Sequence, residues 1–301
     1  MESKNKGLLA YILVCILWGS TYIAIRIGVH SFPPFLFGGF RFLTAGSLIL
    51  LYGYIKKLEF PKDKKDYMQI SIAGLLMLGL SNSLILIAEM RINSSTAALL
   101  VATVPIFMAI IEQFIHGGSR ISLFGWVGMI IGFAGVGILS LSGEGFDTDT
   151  VGIMIVILAA LAWACGSIHS KRTTVGGSII IHIGIQMLAG GLAQTFMGIV
   201  TGEMSRLHPE ASGVWALIYL IIFGSLIGYT SYIYLISVWP ISKAGTYAYI
   251  NPIVAMILGW LILREPVTLK MIISTIMVLA GVIIVQRSKV VEKAAEEVMK
   301  V

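Results

Sequence analysis

The chain consists of long apolar runs that are separated by short polar connections. A helix needs about 20 predominantly apolar residues to cross the hydrocarbon core of a bilayer, and each run reaches that length. The pattern therefore predicts an all-α integral membrane protein with ten transmembrane helices. The predicted spans are 7–28, 34–55, 68–90, 93–115, 122–141, 150–169, 179–200, 212–237, 243–263 and 267–286.

The composition agrees with this pattern and excludes a soluble domain. Of the 301 residues, 57% are hydrophobic and 12% are charged, whereas a soluble domain carries about 25% charged residues. The first apolar run extends from residue 7 to about residue 27, which is too long for the core of a cleaved signal peptide. We therefore expect this run to be retained as the first span.

Basic residues lie mainly in every second connection, and this predicts the orientation of the chain. The connection 56–66 and the segments at both termini are rich in lysine and arginine, whereas the connection 143–150 carries only acidic charge. Because basic loops stay in the cytoplasm, we predict that both termini are cytoplasmic. The net charge of +6 is spread over short clusters without stacking aromatic residues, so we expect contact with a lipid bilayer and not with nucleic acid.

The sequence contains no motif that is typical of catalysis or cofactor binding. Cys15 and Cys165 lie singly in apolar runs, and no group of cysteines and histidines has the spacing of a metal site. The ATP-binding Gly-x-x-x-x-Gly-Lys-Ser/Thr loop is absent, and so are the His-Glu-x-x-His and Gly-x-Ser-x-Gly motifs of hydrolases. We expect no cofactor, no metal and no enzymatic activity, and an intramembrane enzyme is the weaker alternative.

The chain also contains an internal repeat. Residues 91–105 match residues 238–252 at an offset of 147 residues (238 minus 91). The first five predicted spans, at 7–141, and the last five, at 150–286, are therefore two copies of one unit, and a cytoplasmic tail follows at 287–301. Because five is odd, the copies must insert with opposite orientation. Such inverted repeats are typical of secondary transporters, in which the solute site lies between the repeats.

Short motifs near both ends of the chain point to a known family. They are Trp18-Gly-Ser-Thr-Tyr-Ile-Ala-Ile-Arg-Ile-Gly, Pro33-Pro34, Arg41-Phe-Leu, Asn251-Pro252-Ile-Val-Ala and Leu263-Arg264-Glu265-Pro266. Together they resemble the EamA family of the drug/metabolite transporter superfamily. One departure is Gly118, which stands where the repeat offset places the counterpart of Glu265.

The resemblance implies a five-plus-five arrangement of helices and the export of small molecules from a prokaryotic cytoplasm. These small molecules would be metabolites, amino acids or drug-like compounds. We expect a secondary carrier in the plasma membrane that exposes a central pocket to the two sides in turn. The alternative is a flippase for a lipid or a lipid-linked substrate. Facilitated diffusion and proton antiport both stay open.

Polar and aromatic side chains inside the spans are the candidates for lining this pocket. Several share one helix face, and aromatic rings with a polar tip suit an apolar pocket that orients a small solute. Interfacial belts for Trp and Tyr, and helix–helix hydrogen bonds for Asn and Ser, are the alternatives. The candidates for substrate binding are Trp18, Tyr22, Asn82, Trp163, Ser167, Tyr229, Tyr232, Tyr247 and Asn251.

Two prolines lie inside apolar runs at equivalent positions of the repeats, namely Pro105 and Pro252. A proline inside a helix removes a backbone hydrogen bond and pushes against the carbonyl group four residues earlier. We expect a pair of helix kinks beside the solute path. The alternative is that both bends only shape the packing of the helices.

Charged residues inside the spans are rare, and each costs about 2.5–3.5 kcal/mol at the bilayer centre. Arg41, Glu89 and Glu112 are therefore candidates for gating or for coupling to protons, and ion pairing or snorkelling is the alternative. The Gly128-x-x-x-Gly132 and Gly224-x-x-x-Gly228 spacings predict close packing of helices. A homodimer contact through these glycines is also open.

Overall fold

A computed structural model describes residues 2–115, 122–140, 149–239 and 244–298. Within these residues every regular element is a helix. Seven helices are long and apolar enough to cross a membrane, and shorter apolar helices occur at 123–138, 250–263 and 269–285. The described part of the chain therefore confirms the prediction of an all-helical protein that crosses the membrane several times.

The helices follow one another along the chain with short connections. Their bounds are α1 Glu2–Ser31, α2 Pro34–Ile55, α3 Lys64–Glu89, α4 Ser94–Phe114, α5 Leu123–Ser140, α6 Thr150–Arg172, α7 Ile179–Val200, α8 Ala211–Val238, α9 Tyr247–Leu258 and α10 Leu269–Val298. A 3-10 turn at Glu203–Arg206 precedes α8, and a π-helical stretch at Gly259–Leu263 extends α9.

Three helices extend beyond the predicted spans by four residues or more. α1 begins at Glu2 instead of residue 7, α3 begins at Lys64 instead of residue 68, and α10 continues through most of the predicted tail to Val298. The tail contains no glycine or proline and is rich in alanine, glutamate and lysine, which are strong helix formers, so the helix does not end where the apolar run ends. The end of the tail at 299–301 and the motif departure at 116–120 lie outside the described residues.

Helices of the first half of the chain pack against helices of the second half. α2 packs along α7, α5 along α10, and the first half of α4 along α9. α1 packs on α8, and its counterpart α6 packs on α3. If each helix is replaced by its counterpart in the other half of the chain (α1 by α6, α2 by α7, and so on), the same helix pairs result. The hydrophobic core therefore draws its residues from both halves.

Glycines bring the backbones of α5 and α10 into direct contact. A Cβ atom on Gly128 would lie 2.8 Å from the carbonyl oxygen of Gly281, and one on Gly281 would lie 2.6 Å from the backbone nitrogen of Gly132. No larger side chain fits at these positions without a shift of the backbone. The Gly128-x-x-x-Gly132 spacing thus serves a close helix contact within the chain.

Two corresponding helices contain π-helical stretches at their centres. These stretches are Leu75–Ser81 of α3 and Leu220–Tyr229 of α8. A π-helical turn interrupts the regular spacing of side chains, and such turns are frequent at functional sites. Both stretches contribute residues to the central cavity that is described below.

The two predicted proline kinks differ in structure. α4 is interrupted by a turn at Ala102 and Thr103, and Pro105 lies in the first turn of the segment Val104–Phe114 that follows. The missing N–H group of Pro105 therefore removes no hydrogen bond from this segment. Pro252 lies inside α9, as was expected for both prolines. The expected pair of kinks is thus one helix break and one internal proline.

Candidate functional site

A cavity lies at the centre of the molecule, between the two halves of the chain. Its walls come from α1, α2, α3 and α4 of the first half and from α6, α8 and α9 of the second. About 60 Å³ of the cavity is open to the centres of water molecules, which is room for a few waters. Seven of the nine predicted substrate-binding residues line it, namely Trp18, Tyr22, Asn82, Trp163, Tyr229, Tyr247 and Asn251.

An aromatic cluster forms one side of this cavity, with Trp18 at its centre. The ring centroid of Trp18 lies 5.3 Å from that of Trp163, 4.9 Å from that of Tyr232 and 5.3 Å from that of Tyr247. The indole N–H of Trp18 donates to the carbonyl oxygen of Gly224 at 3.2 Å. These contacts fix the orientation of the rings, because each ring meets neighbours from several helices.

Tyr232 and Ser167 are the two predicted binding residues that do not line the cavity. They lie behind its aromatic wall, where the Tyr232 hydroxyl and Ser167 Oγ are 2.8 Å apart. The Trp163 indole N–H donates to the Tyr232 hydroxyl at 3.3 Å. Helix-face spacing could not separate residues on the cavity surface from residues in the layer behind it.

Among the described residues that line this cavity, Arg41 is the only one with a charged side chain. Its side chain is almost fully buried, with 5% of its surface exposed. Arg41 Nε donates to Ser225 Oγ at 2.8 Å, and the guanidinium carbon lies 4.6 Å from the centre of the Phe42 ring. The structure therefore places the Arg41 side chain inside the protein, and its role in gating or coupling stays a prediction.

The glycines of the Gly224-x-x-x-Gly228 spacing make room for the cavity residues. A Cβ atom on Gly224 would lie 2.7 Å from Nη2 of Arg41, and one on Gly228 would lie 2.7 Å from the indole nitrogen of Trp18. Both glycines belong to the π-helical stretch of α8. Their small size thus allows two large polar side chains to reach the centre of the molecule.

Three oxygen atoms of the cavity wall have no hydrogen-bond partner in the described part of the chain. They are Ser81 Oγ, Asn82 Oδ1 and Asn251 Oδ1, and all three are buried. Buried polar atoms are almost always paired, so a group of unpaired ones needs an explanation. Together with Arg41 they give the cavity a hydrogen-bonding capacity that the described residues leave unused.

Sequence reasoning missed several lining residues, chiefly Thr21 and Ser81 among the polar ones. Thr21 follows Trp18 by three residues, so the face spacing of a regular helix could have identified it. Ser81 lies at the end of the π-helical stretch of α3, where the regular spacing does not hold. The apolar lining residues carry no signal that separates them from ordinary core residues.

Comparison with known proteins identifies the family. The EamA-like transporter family matches the chain twice, at residues 5–141 and again at residues 150–287. The chain belongs to the EamA-like transporter family. The resemblance that the sequence motifs suggested is thus confirmed, and the chain is a membrane transporter built from two EamA repeats.

Relatives of this EamA protein carry similar descriptions. It is 36% identical over 245 residues to the "Uncharacterized inner membrane transporter YedA" of Escherichia coli (strain K12), which covers 81% of this chain and 78% of that protein. It is 24% identical over 296 residues to the "Uncharacterized transporter YvbV" of Bacillus subtilis (strain 168), which covers 98% and 95%. A solved crystal structure matches 96% of this chain and 99% of that chain with a TM-score of 0.68 at 17% identity, which shows the fold alone.

A second cavity of about 380 Å³, with both polar and apolar lining residues, lies at the end of the EamA repeats where α3 begins and α6 ends. We call it the vestibule; its polar lining includes Gln69, Ser170, Lys171, Thr173, Thr174, His182, Gln186 and Ser237. The hydroxyl of Tyr229, which lines the central cavity, donates to Oε1 of Gln186 at 2.8 Å. This hydrogen bond therefore lies between the vestibule and the central cavity.

The acidic candidates Glu89 and Glu112 lie outside the lining of both cavities. Glu89 is completely buried at the end of α3, and its carboxylate oxygens have no hydrogen-bond partner among the described residues. Arg26 donates to the backbone carbonyl groups of Glu89 and Ile92 and not to the carboxylate. Glu112 is half-buried on α4.

Glu265 joins the two EamA repeats at the opposite end from the vestibule. One of its oxygens accepts from the backbone N–H and the hydroxyl of Ser94, at 3.0 and 2.8 Å. The other accepts from the backbone N–H and the hydroxyl of Ser95, at 3.3 and 2.7 Å. A carboxylate at the first turn of α4 satisfies free N–H groups and complements the helix dipole.

An ion pair outside the membrane-spanning segments joins the connection after α3 to the start of α6. Arg91 Nε donates to the carboxylate of Asp149, and this hydrogen bond lowers the pKa of Asp149. Asp149 also accepts from the backbone N–H of Val151 at 2.9 Å, which caps the N-terminus of α6. The acidic connection that the sequence placed outside the cell is anchored by this pair at its C-terminal end.

Proposed function

We propose that the chain is a secondary carrier that exports small metabolites, amino acids or drug-like compounds across the plasma membrane of a prokaryotic cell. The observation that carries this proposal is the central cavity, whose lining comes from both repeats and combines aromatic rings with unpaired polar atoms. A pocket between two repeats is where an alternating-access carrier holds its solute.

We further propose that the seven long and three shorter apolar helices make ten membrane crossings, as two inverted five-helix repeats at 7–141 and 150–286. The helix pairs support this arrangement, because exchanging the halves of the chain leaves the pairs unchanged. With both termini in the cytoplasm, the vestibule opens to the cytoplasm. Basic residues near its rim, such as Lys171 and Arg172, agree with that side.

The two ends of the solute path would then open in turn. On the cytoplasmic side, the hydrogen bond between Tyr229 and Gln186 separates the vestibule from the central cavity. On the outer side, Glu265 holds the first turn of α4, and Ser20 Oγ lies 2.6 Å from the Tyr219 hydroxyl. These outer contacts join one repeat to the other, so a relative rotation of the repeats would break them and open that side.

Glu89 is the first candidate for carrying a coupling proton. It is a completely buried carboxyl group without a hydrogen-bond donor in the described part of the chain. The ionisable groups that interact with it are Tyr22, which lines the cavity, and Arg26 and Glu265. In Glu89→Gln we expect solute exchange to continue and the response to a pH gradient to disappear. The same result in Glu112→Gln instead would assign the proton to Glu112.

The function is tested by uptake of labelled amino acids and small metabolites into proteoliposomes that contain the purified protein. Saturable uptake that is lost in Trp18→Ala and Asn251→Ala would support a carrier with its site in the central cavity. Trp215→Ala is the matched control, because Trp215 is 70% exposed on α8. Transfer of labelled phospholipid between leaflets without uptake of any soluble compound would contradict the proposal and favour a flippase.

A further inference from the structure

No opposite charge lies beside Arg41 in the described part of the chain. The Arg41 side chain is almost fully buried. Its hydrogen bond to the described residues is the one that Nε donates to Ser225 Oγ. Within the described residues no carboxylate lies within ion-pair distance of Arg41, since the pairs found there are Lys62–Glu59 and Arg91–Asp149. A buried charge without a partner is strongly unfavourable, so its position inside the membrane requires an explanation.

Contacts with neighbouring residues hold the Arg41 guanidinium in a defined position. Gly224 leaves space for Nη2 of Arg41, and any larger residue at Gly224 would meet it. The Phe42 ring and the Ser225 hydroxyl fix the guanidinium plane on two sides. Arg41 lines the cavity. The described residues provide a hydrogen-bond acceptor for its Nε, and the two Nη groups are available to a bound acceptor.

The unpaired oxygens of the cavity supply the opposite chemistry. Ser81 Oγ, Asn82 Oδ1 and Asn251 Oδ1 can each accept a hydrogen bond from a bound molecule. The aromatic rings of Trp18, Trp163 and Tyr247 line the same cavity and attract a positive group. The cavity thus combines one region that suits an anion with another that suits a hydrogen-bond donor.

We propose that Arg41 is the anion-binding residue of the central site, and that the transported solute carries a carboxylate or an equivalent anionic group together with a hydrogen-bond-donating group. This inference rests on the proposed function, because it assigns the substrate class of the same cavity. The solute supplies the negative charge that the described residues do not place beside Arg41, and its donor group pairs with the Ser81, Asn82 and Asn251 oxygens. Neutral apolar compounds and simple amines are then poor solutes.

The first arm of the test uses probes that share a side chain and lack either the carboxylate or the amino group. Labelled alanine, leucine and phenylalanine are compared with the amines that lack the carboxylate and with the acids that lack the amino group, in proteoliposomes. We expect exchange of the amino acids, weaker exchange of the acids and none of the amines. Arg41→Met should raise the KM of the amino acids about 10- to 100-fold, and Arg41→Lys should restore part of the loss.

The second arm does not depend on transport. Thermal unfolding of the purified protein is measured with and without each probe. The amino acids should raise the Tm of the natural protein and leave that of Arg41→Met unchanged, because a ligand stabilises only the folded state that binds it. Without any probe, Arg41→Met should have the same Tm as the natural protein or a higher one, since an uncompensated buried charge is removed.

Arg26→Met is the matched control for this arm. Arg26 donates to two backbone carbonyl groups and so has a structural role, and its replacement should lower the Tm. A fall of the Tm in Arg41→Met as large as that in Arg26→Met would overturn the inference and make Arg41 structural. Exchange of amines in preference to acids, or exchange that is unchanged in Arg41→Met, would overturn it as well.

The two arms separate this inference from the proposed function. If the acids and amino acids stabilise the natural protein but not Arg41→Met, and no probe enters the vesicles, then the anion site is supported and the carrier is contradicted. If no probe moves or binds, the Tm of unliganded Arg41→Met decides: an unchanged or raised value supports an uncompensated charge, and a lowered value overturns it.

Discussion

The contact between α5 and α10 and the central cavity are built on opposite principles. At the α5–α10 contact, Gly128 and Gly281 place backbone against backbone, with no space for an added Cβ atom. At the cavity, glycines of α8 instead make room for Arg41 and Trp18, and three polar oxygens are left unpaired. The first region contributes close packing to the fold, whereas the second retains unsatisfied polar groups, as expected where a solute binds.

The largest effect should come from filling the close contact between α5 and α10. Gly281→Val places a side chain where a Cβ atom would already lie 2.5 Å from the carbonyl oxygen of Gly128, so the helices must separate. We expect a loss of about 3 kcal/mol or more, or failure to fold. Gly137→Val on α5 is the matched control, because nothing lies within 4 Å of a Cβ atom at Gly137. Thermal unfolding and the yield of monodisperse protein measure both variants, and equal behaviour would contradict the role given to this contact.

The contact between Glu265 and the first turn of α4 should come next. Glu265→Gln removes the charge and at least part of four hydrogen bonds to Ser94 and Ser95, which should lower the free energy of unfolding by about 1–3 kcal/mol. Glu59→Gln is the control, since Glu59 is exposed and pairs only with Lys62 at 3.6 Å, and its loss should change stability by less than about 0.5 kcal/mol. Identical melting curves for both variants would show that Glu265 does not hold the outer end together.

A smaller effect is expected at the boundary between cavity and vestibule. Tyr229→Phe removes the hydrogen bond to Gln186 and should cost about 1 kcal/mol of stability or less, because the ring keeps its packing. We expect it to admit solvent to the cavity. The readout is the labelling rate of a cysteine at Asn82, in a variant without Cys15 and Cys165, by a thiol reagent added from the vestibule side. A labelling rate that does not change would argue against this hydrogen bond as a closure.

The smallest effect is expected at the exposed pair between Arg91 and Asp149. The hydrogen bond from Arg91 lowers the pKa of Asp149, so its contribution to stability is present above the usual pKa of an aspartate and is lost as the pH falls through the lowered pKa. Arg91→Ala should therefore reduce the Tm slightly at neutral pH and not at all in strong acid. A difference in Tm that grows toward low pH would contradict this assignment.

Much of the fold could be predicted from the sequence, because the signals are long and repeated. Apolar runs near 20 residues predict membrane helices, and the 147-residue offset (238 minus 91) predicts that corresponding helices occupy corresponding places. The residues at which helices begin and end were harder to predict. α10 continues past its apolar run because the tail is made of helix formers, and hydropathy alone does not detect this.

The candidate site was predicted where a residue type is rare in a membrane, and missed where it is common. Trp18, Asn82 and Asn251 could be selected because a polar or large aromatic side chain inside a span needs a reason. Whether such a residue touches the cavity or supports its wall, as Tyr232 does, depends on a single helical turn. The π-helical stretches of α3 and α8 change the number of residues per turn beside the cavity. The spacing of a regular helix therefore cannot tell which residues touch the cavity.

The central claim is that a cavity shared by both repeats is exposed to the two sides of the membrane in turn. The most direct measurement is thiol labelling of Ala160→Cys, at a position that lines the cavity, in a variant without Cys15 and Cys165, by a membrane-impermeant reagent added to either side of the vesicles. We predict labelling from both sides and protection by the transported amino acid. Labelling from one side only, or labelling that the solute does not reduce, would contradict the account.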